Sequence, residues 1–101
     1  MNAISLSEFE EKLKNKETFA VDFYADWCQA CIEMLPTVEE VAKDSVVPFY
    51  KVNIDDQPEL KERNHIKAIP MIMMYSEGRT REFVYGKVER DKIEQKLKRL
   101  G

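Results

Sequence analysis

Cys28 and Cys31 are the only cysteines of the chain, and two residues separate them in Trp27-Cys28-Gln29-Ala30-Cys31. Residues three apart share a face of a helix, so a Cys-x-x-Cys segment that opens a helix can close and reopen a disulfide within one turn. The chemistry this allows is thiol–disulfide exchange, in which a thiolate attacks a disulfide sulfur. An unperturbed cysteine, with a pKa of about 8.5, is only about 3% ionised at pH 7. At a helix N-terminus, unpaired backbone N–H groups and the positive end of the macrodipole favour the ionised form. Cys28 is therefore the expected nucleophile. Cys31, one turn further in, is expected to be the more buried and to resolve the mixed disulfide between Cys28 and a substrate.

Other uses of the pair are weaker. Two cysteines do not make a disulfide framework, and a zinc ion takes about four ligands where the chain offers these two and His65. Met71, Met73 and Met74 read as core filling, so no metal is expected, and no cofactor is needed when the electrons reside in the sulfurs. Asp22 sits inside the apolar run Ala20-Val21-Asp22-Phe23-Tyr24-Ala25, where burial would raise its pKa and let it hold and pass a proton; the other reading is an aspartate at a solvated strand position. Trp27 reads either as a substrate platform or as packing. Ile69-Pro70 reads as a strand start, and the dipeptide alone does not decide between a cis and a trans bond.

Elements must position these groups. Ser7-Glu8-Phe9-Glu10 has capping-box spacing, and Leu6, Phe9 and Leu13 form a stripe, which predicts a helix over about residues 7–15 after a short strand near Ile4–Leu6. Thr18–Ala25 is apolar enough for a central strand covered on both faces. The period changes after Cys28 to that of a helix reaching about Lys43, with Pro36 expected to kink it. Val46–Ile54 reads as a strand, and Asp56-Gln57-Pro58-Glu59 as the start of a short helix to about Asn64. Met71–Tyr75 and Arg81–Tyr85 form a hairpin around Ser76-Glu77-Gly78-Arg79, and Val88, Ile93, Leu97 and Leu100 stripe a last helix. The order β-α-β-α-β-α-β-β-α predicts an α/β fold: a mixed central sheet of about four to five strands with helices on both faces.

With 101 residues, 44% hydrophobic and 35% charged, the chain is expected to form one soluble domain over residues 1–101. A net charge of −3 argues against a nucleic-acid partner. Lys92, Lys96, Lys98 and Arg99 are interleaved with Glu89, Asp91 and Glu94, as on a solvated helix face. No secretory signal is read in Met1–Ser7, and the longest apolar stretch, Ala68–Tyr75, is too short for a membrane segment. So small and charged a surface suits a monomer.

With these residues in place, the chain resembles the thioredoxin family over essentially its whole length. Val21-Asp22-Phe23-Tyr24-Ala25-Asp26-Trp27-Cys28 is similar to that family's approach to its active site, and Pro36 to the proline of its second helix. Lys51-Val52-Asn53-Ile54-Asp55 resembles its third-strand segment, Ala68-Ile69-Pro70 the loop before its cis-proline, and Gly86 a groove glycine. The resemblance implies the thioredoxin fold, a buried Asp22 near Lys51 assisting proton transfer at Cys31, and a cis Ile69–Pro70 bond facing the cysteines. It also implies a groove of Trp27, Ile54, Ala68, Ile69, Pro70 and Gly86 in which an extended substrate pairs with the backbone of Ile69.

Gln29-Ala30 replaces the Gly-Pro usual between the cysteines, and no histidine stands there to stabilise the thiolate, which favours a reductant over an oxidant. The expected activity is reduction of protein disulfides, with electrons from a flavin-dependent reductase or another dithiol, in the cytoplasm. The segment Tyr-Ala-Asp-Trp-Cys-x-Ala-Cys also resembles the thioredoxin-like domains of membrane thiol-reductant transporters. An extracytoplasmic oxidase, isomerase or electron-relay role is the alternative, and a binding module using the same groove is the alternative of another class.

Overall fold

The computed structural model describes residues 1–100. Five strands form one mixed sheet: β1 (Asn2–Ala3), β2 (Phe19–Tyr24), β3 (Phe49–Asn53), β4 (Met71–Ser76) and β5 (Arg79–Tyr85). Four helices, α1 (Leu6–Lys14), α2 (Gln29–Asp44), α3 (Pro58–Arg63) and α4 (Arg90–Lys98), connect or follow them. The sheet order is β1-β3-β2-β4-β5. The first three strands are parallel, β4 runs antiparallel to β2, and β5 runs antiparallel to β4. This is the expected mixed sheet.

Strand β2 is central because nearly all of it is apolar, and alternation sends its side chains to two cores. Phe19, Val21 and Phe23 pack with Phe9 and Leu60 on the α1 and α3 side. Ala20 lies on the other face, with Met34, Val38 and Val41 of α2 and Ile93 of α4. Asp22, two residues on, is therefore turned towards α2 instead of the aromatic core. Met71 and Met73 pack against the first core and Met74 lies in the second.

Several boundaries differ from expectation. Helix α1 starts at Leu6, one residue earlier than expected, because the capping box is Ser5 with Glu8: the Glu8 N–H donates to Ser5 Oγ at 3.1 Å and the Ser5 N–H to Glu8 Oε1 at 3.0 Å. Ser5 thus ends β1 before the predicted Ile4–Leu6 strand, and Ile4 is buried beneath the helix. The third strand starts at Phe49, not Val46, because Ser45 Oγ accepts the Val47 N–H at 2.9 Å in a turn that leaves Val46 in solvent. The hairpin turn is only Glu77-Gly78, both at positive φ (57° and 79°), so β5 begins at Arg79 rather than Arg81. Pro36 is accommodated within α2 on its exposed side.

Candidate active site

Strand β2 ends at Tyr24, and Ala25-Asp26-Trp27 turns the chain into α2. Cys28 is the N-cap residue of that helix, with extended backbone (φ −89°, ψ 102°), and its sulfur accepts the Cys31 N–H at 3.2 Å. An N-cap side chain that accepts from the first turn satisfies a donor no carbonyl can reach. Once the disulfide is reduced, a hydrogen bond of this kind favours negative charge on the Cys28 sulfur. The two cysteines are disulfide-bonded, with Cα atoms 5.2 Å apart. Burial does not separate them as expected: Cys28 is 6% exposed and Cys31 7%. The capping geometry folds the Cys28 sulfur back over the first turn of α2 instead of outward, which equalises the two.

One recess reaches Cys31, and a second opens beside Trp27. The first, about 230 Å³, is walled by Cys31, Ile32 and Leu35 of α2, with Asp22 and Lys51 at its floor. Asp22 of β2 and Lys51 of β3 are register partners on adjacent strands, which accounts for their sharing it with Cys31. Asp22 is 5% exposed, and burial pushes its carboxyl up from 3.8 to about 7. No ion pair with Lys51 offsets this among the described residues.

The second recess, about 310 Å³, brings together Trp27, Ile54, Ala68 and Ile69, with Lys61, Ile66 and Lys67 around them. Trp27 is 68% exposed, and its Nε1–H donates to Asp55 Oδ2 at 2.8 Å. That tether makes it an oriented surface group rather than core packing. The Ile69–Pro70 peptide bond is cis. Pro70 and Gly86 lie outside this recess but are joined to each other, the Gly86 N–H donating to the Pro70 carbonyl at 2.8 Å. Gly86 has φ +83°, and a Cβ there would meet nothing within 4 Å, so its backbone conformation rather than crowding selects glycine.

Sequence reasoning missed Asp55, 28 residues from Trp27, and the link across the other side of the site. There Gln29 Nε2 donates to Glu33 Oε2 at 3.0 Å and Lys87 Nζ pairs with Glu33 Oε1 at 2.8 Å, tying the segment after Gly86 to α2. Only the Gln29–Glu33 spacing of one helical turn was visible beforehand.

A parallel strand that delivers a reversible disulfide to the mouth of a helix, with an oriented tryptophan beside it and a buried acid behind it, defines a thiol–disulfide oxidoreductase. The family model described as Thioredoxin matches residues 1–99, and the chain belongs to that family, whose members reduce protein disulfides. It is 37% identical over 87 residues to the thioredoxin of Rickettsia bellii, covering 84% of this chain and 83% of the relative. To the chloroplastic thioredoxin M4 of Arabidopsis thaliana it is 31% identical over 96% of its own length, spanning 52% of that longer protein. A solved structure of Plasmodium falciparum thioredoxin superposes with a TM-score of 0.89 at 26% identity, covering 100% of both chains. No helix among the described residues is long and apolar enough to cross a membrane.

Proposed function

We propose that the chain acts as a single domain, in which Cys28 is the attacking thiolate and Cys31 the resolving thiol. The observation that carries this is the position of Cys28 Sγ as acceptor of the Cys31 N–H at the start of α2. In the reduced protein, Cys28 attacks one sulfur of a substrate disulfide: the Cys28–substrate bond forms, the substrate S–S bond breaks, and its other sulfur leaves as a thiolate. Cys31 then gives its proton to Asp22 across their shared recess and attacks Cys28 Sγ, closing the protein disulfide and releasing the second substrate sulfur. Two electrons and two protons pass to the substrate. Lys51, the register partner of Asp22, lines the same recess. A flavin-dependent reductase or another dithiol then restores the reduced pair.

Trp27, Ile54, Ala68 and Ile69 form the wall on which an extended substrate lies, with Pro70 and Gly86 at its end and the Ile69 backbone as its pairing edge. We assign the protein to the cytoplasm as a monomer. The test is to react reduced Cys28→Ser and Cys31→Ser variants with a small aromatic disulfide. Cys31→Ser should accumulate a stable mixed disulfide on Cys28, while Cys28→Ser should react at least tenfold more slowly than wild type, roughly the expected gap between an activated and an ordinary thiol. Equal rates from the two variants would overturn the assignment. The Cys28/Cys31 potential should lie near about −270 mV, and a value near about −120 mV would replace the reductant role with that of an oxidase.

A further inference from the structure

The face of the sheet covered by α1 and α3 is not covered to its edge. Met71 and Met73 of β4 point to that face and are paired in register with Tyr85 and Phe83 of β5. The opposite face of the same hairpin is closed: Ile72 and Val84 are buried together with Ile93 of α4. On the open side, Phe83 is 57% and Tyr85 56% exposed. Two large aromatic side chains at alternate positions of an edge strand, backed by two methionines, form an apolar strip in solvent, which monomers seldom leave without use.

The strip is continuous with the groove. Met71 directly follows Pro70, Tyr85 directly precedes Gly86, and the Gly86 N–H is bonded to the Pro70 carbonyl. Its other end is basic. Arg81, which stands at the register shift opposite Met74 and Tyr75 next to the strip, is exposed and has no acidic partner among the described residues, and neither has Arg79 beside the hairpin turn, whereas Glu82 is paired on the far face with Lys96 and Arg99. The basic end stands out on a chain of net charge −3. The outer edge of β5 also has no neighbouring strand in the sheet.

We propose that Phe83 and Tyr85, with Met71 and Met73 behind them, extend the substrate groove along β5. The extension selects protein substrates whose chain near the reacting cysteine carries apolar side chains at alternate positions, followed by an acidic residue that meets Arg81. Alternation matches the two-residue spacing of the strip, and added backbone pairing on the β5 edge supplies affinity without further side-chain specificity. The inference rests on the groove reading above and adds the class of sequence the groove prefers.

The test compares two synthetic disulfide peptides. In the short one each cysteine has a single neutral neighbour on either side. In the long one a Val-Ser-Phe-Ser-Asp segment flanks the cysteine on both sides. For wild type, kcat/KM should be roughly tenfold higher for the long peptide, through KM, as expected for a few exposed apolar contacts. A Phe83→Thr/Tyr85→Thr variant keeps strand-forming residues and should lose that advantage while reducing the short peptide at the wild-type rate. Phe83→Leu/Tyr85→Phe should retain most of it, and Arg81→Glu should move the preference from an Asp-ended to a Lys-ended peptide.

Equal kcat/KM for both peptides with wild type overturns the extension while leaving the groove reading intact. Failure to reduce either peptide removes both. Sedimentation of wild type as a dimer that the threonine variant dissociates would make the strip a self-association face and overturn its role toward substrate.

Discussion

Replacing Asp22 with Asn tests the buried carboxyl and the fold together. Burial raises this group from 3.8 to about 7, so between these values the folded chain holds a proton that the unfolded chain has released. Stability changes with pH as the protons bound by the unfolded state minus those bound by the folded state, which is negative here, so it falls as pH rises through this window. With each pKa unit equivalent to ~1.4 kcal/mol, ionised Asp22 costs the fold on the order of 4 kcal/mol above about pH 8. Asp22→Asn removes the charge and keeps the shape. Its advantage over wild type should be near zero at pH 4 and grow to about 4 kcal/mol by pH 8.5. In urea unfolding of the oxidised protein, followed by far-ultraviolet circular dichroism, an m-value of about 1–2 kcal/mol/M converts that to a midpoint ~2–4 M higher. Oxidised protein is needed so that the cysteines do not titrate. A stability difference that stays constant between pH 4 and 8.5 would refute the reasoning, because it would assign the effect to packing rather than to charge.

Two further substitutions probe the scaffold. Tyr75→Phe removes a buried hydroxyl that donates to Asn64 Oδ1 at 2.6 Å, while Asn64 Nδ2 still holds the Leu60 carbonyl at 3.0 Å. It should cost about 1–2 kcal/mol, and an unchanged urea midpoint would show that water replaces the lost donor. Gly86→Ala forces a side chain into φ +83° where space is open, so strain alone should lower stability by about 1 kcal/mol and Tm by ~4–8 °C; a Tm equal to wild type would show that the segment relaxes to negative φ.

What was legible in the sequence was what is decided locally. The switch of period at Cys28 marks a strand ending and a helix beginning, and this alone places one cysteine at an N-cap and the other a turn inside. The first helix shows where local signals fail. Ser5-x-x-Glu8 and Ser7-x-x-Glu10 both have capping-box spacing and leave the same apolar stripe, so their choice depends on the pairing of Asn2 and Ala3 with Tyr50 and Lys51, far along the chain. The Trp27–Asp55 tether and the Glu33–Lys87 bridge are likewise products of tertiary placement. So is the open strip on β5: Phe83 and Tyr85 have the alternation of any half-buried strand, and only the positions of α1 and α3 leave them uncovered.

The location of Asp22 follows from a constraint on β2 that the sequence satisfies at some cost. A strand buried on both faces reads apolar at every position, and every other residue from Phe19 to Phe23 obeys. Alternation gives Asp22 to the α2 face, where the register partner is Lys51 and the overlying turn is the one that carries Cys31. Were the register shifted by one residue, the carboxyl would point into the core of Phe9, Phe19 and Phe23, away from the recess it shares with Lys51 and Cys31. A buried acid that weakens the fold as it ionises, yet stands in a recess that reaches Cys31, is what the proposed proton transfer at that thiol requires. The same strand therefore sets both halves of the proposed chemistry: its end starts the helix that holds Cys28 as cap, and its interior holds the carboxyl proposed to take the proton of Cys31.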